Sequence, residues 1–343
     1  VDRLVTRLAL ELSGAPADPE AALAPGFWVE QVQLAEAAGL DFVIFPDSFE
    51  PPGDPPRAQL DAVAVAARVA ALTTGIGLVA GTTVTHTEPF HLSKAIATLD
   101  FVSLGRAGWQ PTLSRTQVEA DLFGRKDAAP AATLWREAAE VVEVVTRLCD
   151  SWEDDAVIRD AATGRYVDRD RLHYVDFQGE FFSVRGPSIT PRSPQARPPI
   201  VLRLEDGSAG LVGSRADVVR VGDLGSVEWA RSAVLAAGRD PALVTVLLDV
   251  PVERAAGDSA VGAAAEWVSC QVADAVRAGA DGVTFVPATI PGGPKLVLDR
   301  VLPLLAERGL RTSGPTPGTP TPRTTLRERL GLARPANVYQ AAR

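Results

Sequence analysis

The sequence predicts an α/β fold, a closed (β/α)8 TIM barrel, on three observations. Eight short runs rich in apolar and β-branched residues alternate along the chain with amphipathic segments, the order that makes a parallel sheet covered by helices. Several of those runs are apolar at nearly every position, as strands buried on both faces must be. The competing doubly wound open sheet would place a glycine-rich phosphate turn after its first strand, and none follows here. At 343 residues the chain is long for one domain, but a closed barrel uses that length around one core.

The strands are expected at 8–12, 42–45, 75–80, 108–112, 200–204, 218–221, 244–250 and 282–286. In the first helix Trp28, Val32 and Ala35 recur on one face, and Gly39 supplies a left-handed C-terminal cap before Asp41. The fourth carries a stripe of Leu134, Ala138, Val141, Val145 and Leu148, with Arg136, Glu137, Glu140 and Glu143 mostly off it. The last begins near Pro294 and runs through Val297, Val301 and Leu304 to the stop signal Arg308-Gly309. Two segments interrupt this rhythm. From Trp152 to Ser183 the chain reads as an insertion, with Tyr166-Val167-Asp168 followed by a short hairpin around Gln178-Gly179-Glu180. Residues 313–325 are dominated by Pro, Thr and Gly, which predicts an extended linker, and the tail at 326–343 holds one short helix expected to pack on a neighbour. The expected division is a barrel domain at 1–312, with the insertion at 152–183, and a linker and tail at 313–343.

Composition narrows the function classes. A net charge of -9, with no basic stripe interleaved with aromatics, argues against nucleic acid as a partner. Cys149 and Cys270 lie in apolar helical patterns far apart, which predicts two buried reduced thiols and neither a disulfide framework nor a metal set. The first residues carry Asp2, Arg3, Arg7 and Glu11 instead of an apolar leader, and no later run reaches membrane-spanning length, so a cytoplasmic protein is expected.

In a barrel of this type the site belongs at the C-terminal ends of the strands. Strand two ends in Pro46-Asp47-Ser48, and Asp47 either orients a ligand or caps the second helix. Strand three runs into Thr82, Thr83, Thr85 and His86; the threonines either hydrogen-bond a polar ring edge or reflect strand propensity. In strand four Trp109 is either a pocket wall or core, with Gln110 beside it. After strand five, Gly207, Ser208 and Gly210 either seat an anion on backbone N–H groups or form a plain helix cap, and the adjacent Glu205 and Asp206 favour the cap. His86 and His91 lack the helical i, i+4 spacing of a metal pair. Glu88, Asp100 and Arg106 are expected to form a structural ion-pair set. No Ser-His-Asp order appears, and no catalytic acid or base is identified.

A longer pattern then emerges. Glu88-Pro89-Phe90-His91, Ala97-Thr98-Leu99-Asp100 and Ser103-Leu104-Gly105-Arg106-Ala107-Gly108-Trp109 resemble the bacterial-luciferase-like flavin monooxygenases, in their nitrilotriacetate and dibenzothiophene-sulfone monooxygenase branch. The resemblance continues through Cys149 to Ala156, Phe177 to Pro187, Gly279-Ala280-Asp281-Gly282 and Thr325 to Leu332, nearly the whole chain. It implies a luciferase-like barrel that takes reduced FMN from a separate flavin reductase and uses it with O2 to oxygenate a small organic substrate. It also implies a homo-oligomer. By position, Asp47, Thr82, Thr83, Gln110, Trp135, Gly207, Ser208 and Gly210 would meet the cofactor, and His86 with Trp109 the substrate. The chain departs from the family pattern at Gly81, Gln110 and Trp135, and Leu204-Glu205-Asp206-Gly207 stands where the family's phosphate loop reads Ala-Gly-x-Ser. Weak FMN binding is therefore expected. Two alternatives accompany this reading: a flavin-poor, non-catalytic barrel acting as partner subunit or binding protein, and a deazaflavin-dependent oxidoreductase.

Overall fold

In the computed structural model, which describes residues 7–51, 58–255, 257–311 and 324–340, eight strands run parallel in one sheet. They are β1 (Arg7–Glu11), β2 (Phe42–Phe45), β3 (Gly77–Thr83), β4 (Ala107–Thr112), β5 (Val201–Arg203), β6 (Val218–Val221), β7 (Thr245–Val252) and β8 (Gly282–Pro287). The order β5-β6-β7-β8-β1-β2-β3-β4 is a barrel opened between β4 and β5. That seam is closed by a single parallel bridge, Trp109 to Ile200, with the Trp109 N–H donating to the Pro199 carbonyl at 2.9 Å. All eight expected strands are present. The largest shift is in β3, which continues past residue 80 because Gly81, Thr82 and Thr83 pair with Gln110, Pro111 and Thr112. Thr82 and Thr83, expected beyond the strand, thus lie in it, as their β-branched side chains favour, while Thr85 follows it.

The helices that cover the sheet are α1 (Pro25–Ala37), α2 (Ala62–Ala70), α3 (Pro89–Val102), α4 (Ala131–Asp150), α5 (Ala209–Arg215), α6 (Ser226–Ala236) and α7 (Asp258–Arg277). A last helical stretch follows β8 as Gly292–Leu296, a π turn at Val297–Val301, and Leu302–Glu307. Proline at the first position opens α1 and α3, where its missing N–H has no helical partner to lose. The expected stripe of α4 is buried along its length. Cys149, on α4, is buried, and burial pushes its thiol up to about 12. Cys270 corrects the expectation of two buried thiols: it is exposed on the outer face of α7. No helix of the described residues is long and apolar enough to cross a membrane.

The insertion holds two ribbons where one hairpin was expected. Val157–Asp160 pairs with Arg165–Val167, and Phe177–Gln178 with Ser183–Val184. The first turn was overlooked because its signal is a side chain: Asp160 Oδ1 accepts from the N–H groups of Ala162 and Thr163. Asp150, fully buried, joins the two flanks of the insertion by pairing with Arg192 at 3.0 Å and with Arg197. The expected ion-pair set is redistributed: Glu88 pairs instead with Arg125, Asp100 accepts from Gln195 Nε2 at 2.6 Å, and Arg106 donates to the carbonyls of Ala70, Thr73, Ile76 and Ser103.

Most of the expected linker lies outside the described residues. The tail that follows it packs into its own barrel. Thr325 and Glu328 form a reciprocal capping box around a short helix, Leu326–Arg329. Leu326 enters the N-terminal end of the barrel and joins Ala9, Phe42, Ile44, Val79, Val201, Val218, Leu247 and Leu330 in one apolar layer. Gly77 and Gly108 admit it: a Cβ on either would stand 2.6 Å and 3.1 Å from the Leu326 methyl groups. Arg327 then pairs with Asp217 at 3.1 Å, and its N–H donates to Gln195 Oε1 at 2.8 Å.

Candidate functional site

One layer above that apolar floor the barrel interior turns polar. Arg220 on β6 is 1% exposed; its Nε donates to Asp249 Oδ1 on β7 at 2.8 Å, and its Nη1 donates to Gln110 Oε1 on β4 at 2.9 Å and pairs with Glu11 on β1. Burial works against the guanidinium's charge, but the carboxylates of Asp249 and Glu11 outweigh it and hold its pKa above the ordinary arginine value. Asp249 is pushed upward by burial against the pull of Arg220. Arg203 on β5, half-exposed, reaches the same carboxylate at 3.5 Å. Of this set only Gln110 was anticipated. The available signal was a single charged residue inside each of two apolar strands, Val218-Val219-Arg220-Val221 and Leu247-Leu248-Asp249-Val250.

Around this layer stand the loops at the C-terminal ends of the strands. Asp47 caps α2: its Oδ2 accepts from the Ala62 N–H at 3.1 Å and its Oδ1 from the Ser48 N–H at 2.8 Å. Burial raises its pKa against those two hydrogen bonds. It borders a 220 Å³ cavity with Leu12, Trp28, Phe45 and Leu60. Trp109 is core, 2% exposed, and its indole N–H donates to Thr82 Oγ1 at 2.7 Å, so that pair is closed on itself. Thr83, its register partner Thr112 and Thr284 are different, for their hydroxyls are buried without a hydrogen-bond partner.

The Gly207 loop does not offer the hydroxyl that a phosphate seat would use. Ser208 is fully buried and its Oγ is spent inside its own turn, donating to the Glu205 carbonyl at 2.8 Å and accepting from the Glu205 N–H at 2.9 Å. Gly207 sits at φ +84 against Trp135, whose Cδ1 would stand 3.0 Å from an added Cβ, while Gly210 faces open space. Trp135, 6% exposed, keeps its indole N–H unpartnered. Arg115 lies over the Trp135 ring at 5.7 Å and pairs with Glu205 at 2.5 Å. Arg115 was missed because it follows β4 in a loop with no recognisable signal, and it partly neutralises the carboxylate expected to repel an anion.

His86 completes the mouth. It is 7% exposed, neither ring nitrogen meets a hydrogen-bond partner, and it stacks on Phe123 at 5.0 Å with 11° between the planes. Phe49 meets Phe123 edge-on at 4.7 Å, so the segments after β2, β3 and β4 share one aromatic contact. Burial, then the Lys126 charge, lowers the His86 pKa, opposed by Glu119 and Glu137. The ring borders a second cavity of 220 Å³ with Glu88, Lys126, Glu137, Phe181 and Phe182. A larger hollow of 590 Å³ lies at the same end of the barrel, among the segments that follow β1, β7 and β8, bordered by Ala15, Arg254, Thr289, Lys295 and Arg300. It borders none of the unpartnered buried atoms, so the side of the mouth built from β3, β4 and the Gly207 loop is the better site. Among the described residues no group of three or more His, Cys, Asp or Glu could hold a metal ion.

Comparison with known proteins gives a family and a fold. The model of the luciferase-like monooxygenase family matches residues 9–289. Nitrilotriacetate monooxygenase component A of Aminobacter aminovorans is 36% identical over 200 residues, which is 54% of this chain and 44% of that protein. The chain thus spans less than half the length of that relative. A pristinamycin IIA synthase polypeptide of Streptomyces pristinaespiralis is 30% identical over 310 residues, 90% of this chain and 89% of that one. EDTA monooxygenase from Chelativorans sp. BNC1 has the same fold, with a TM-score of 0.78 at 20% identity over 96% of this chain and 98% of that chain.

Proposed function

Because the chain belongs to the luciferase-like monooxygenase family, we propose that it is the oxygenase component of a two-component monooxygenase, which takes reduced FMN from a separate reductase and oxygenates a small organic substrate. The monooxygenase relatives favour this over a flavin-poor, non-catalytic barrel or a deazaflavin-dependent oxidoreductase. A bound flavin would supply the oxygen-activating chemistry. The residues at the mouth fit such a group. Thr83 and Thr112 offer unpaired hydroxyls and Trp135 an unpaired N–H, and a buried polar group left without a partner costs about 1–3 kcal/mol. This clustering of unpaired polar atoms at the barrel mouth is the observation that carries the reading. Arg115, beside Gly207 and Trp135, is the charged donor for the phosphate, with Glu205 competing for it. Gln110 is held in place by Arg220, Asp47 fixes the loop that borders the site, and the Phe49, Phe123 and His86 set shields it from water. A cytoplasmic location and self-association belong to the proposal; light scattering reads the second.

The test compares FMN with riboflavin, which lacks the phosphate, in anaerobic titrations after photoreduction. Arg115→Leu should weaken reduced FMN about tenfold or more, the loss expected of a charge-assisted hydrogen bond, and leave riboflavin unchanged. Equal loss for both ligands would remove the phosphate from this loop, and absence of saturable binding by either would contradict the proposal.

A further inference from the structure

The titratable side chains at the mouth are nearly all committed. Asp47 caps α2, Glu11 and Asp249 share Arg220, Glu205 holds Arg115, and Glu119 closes the capping box of the short helix Gln117–Phe123. Glu137 pairs with Lys126, and Glu88 with Arg125. His86 is the exception among the buried ones: both of its nitrogens lack a protein partner while its ring face is fixed on Phe123. A half-turn about Cβ–Cγ leaves the ring plane, and so the stack, in place, and exchanges Nδ1 with Cδ2 and Nε2 with Cε1. Either edge toward the adjoining cavity can therefore carry a nitrogen.

That cavity has three properties that restrict its occupant. Its 220 Å³ corresponds to about seven waters at liquid volume, room for a fragment and too little for a whole flavin. Its charges cancel in pairs, Lys126 with Glu137 and Arg125 with Glu88, so no net charge is left to recognise an ion. Its remaining walls are mostly apolar, Val84, Pro89, Val141, Phe181 and Phe182, with Thr87 and with Thr85, whose hydroxyl already accepts from the Ser114 N–H at 3.0 Å. We propose that this cavity is a substrate subsite for a compact, uncharged, hydroxyl-bearing group of aromatic size, which His86 holds by a hydrogen bond. The assignment rests on the oxygenase reading only in calling the occupant a substrate. A neutral imidazole, which burial and Lys126 both favour here, presents one donor and one acceptor and so matches a hydroxyl, itself both. Phe181 and Phe182 come from the second ribbon of the insertion, which gives that ribbon the function of closing the subsite.

The experiment uses phenol, benzene and benzoate as probes of the full chain, read by NMR of the imidazole carbons. The chain has three histidines, and two serve as internal references: His91, exposed on α3, and His173, paired with Glu153. Phenol should move the His86 signals saturably without moving the other two, and bind about fivefold to tenfold tighter than benzene, the range of one net hydrogen bond. Benzoate should not saturate. His86→Phe should keep the benzene affinity and abolish the preference for phenol, and His86→Gln should restore part of it. Equal affinity for phenol and benzene in the native chain, or a tighter benzoate, overturns the proposal. Because these titrations contain no flavin, failure of the subsite and failure of FMN binding are read separately.

Discussion

The two ends of the barrel are built from the same eight strands and solve opposite problems. At the N-terminal end the interior is apolar, and Leu326 from the tail fills the space left by Gly77 and Gly108. At the C-terminal end, a layer higher, the interior holds Glu11, Gln110, Arg220 and Asp249, and above them lie hydroxyls and ring nitrogens with no partner. A floor in which apolar surface and hydrogen bonds are both satisfied contributes stability. A mouth with unpaired buried polar atoms sacrifices some, which is the usual mark of a place where a ligand completes the structure. The division is not absolute, since Arg220 and its carboxylates sit under the mouth and are ion-paired, while Arg220 Nη2 and Asp249 Oδ2 keep no hydrogen-bond partner.

Arg220→Met should therefore produce the largest effect. It leaves the buried Asp249 and the partly buried Glu11 without their cation, and breaking such a pair costs about 3–5 kcal/mol, measurable by urea denaturation. A cost below that of the floor substitution would sharpen the division, by showing that the mouth contributes little to stability. Leu326→Ala should cost about 2–5 kcal/mol, toward the low end if the tail collapses into the gap. A loss under about 0.5 kcal/mol would break the comparison, because the plug would then be dispensable. The smallest effect should be the pH dependence of His86. Its folded pKa lies below the ordinary value of 6.5, so the unfolded chain takes up the proton first as pH falls. Its stabilising contribution is complete above 6.5 and is lost as pH falls through the folded pKa. His86→Phe should accordingly lose less stability than the native chain over that acid window, and parallel curves would refute the assignment.

Much of the barrel was legible because buried parallel strands and amphipathic helices are local patterns: 42–45 and 218–221 were placed to the residue, and the others within about three. What escaped notice depends on contacts distant in sequence. Arg220 meets Glu11 across 209 positions, and nothing near either one announces the pair. Leu326 is one of several leucines in a charged tail, and its role becomes visible only with the glycines that receive it. At the mouth the strand ends that carry the loops were legible, and the directions of the side chains on them were left open. Asp47 and Ser208 carry the residue types of ligand contacts, yet one caps α2 and the other closes its own turn. Arg115 and Phe123, which stand where a ligand would be met, sit in the loop and short helix after β4, whose composition is ordinary.

The measurement that bears most directly on the account is an anaerobic titration with photoreduced FMN of three proteins: the native chain, Thr83→Val at the mouth and Leu330→Ala at the floor. The account predicts roughly micromolar, saturable binding by the native chain, an unchanged constant for Leu330→Ala, and about fivefold to tenfold weaker binding for Thr83→Val at undiminished stability. No saturable binding by the native chain, or a loss that follows the floor substitution and spares the mouth, would contradict it.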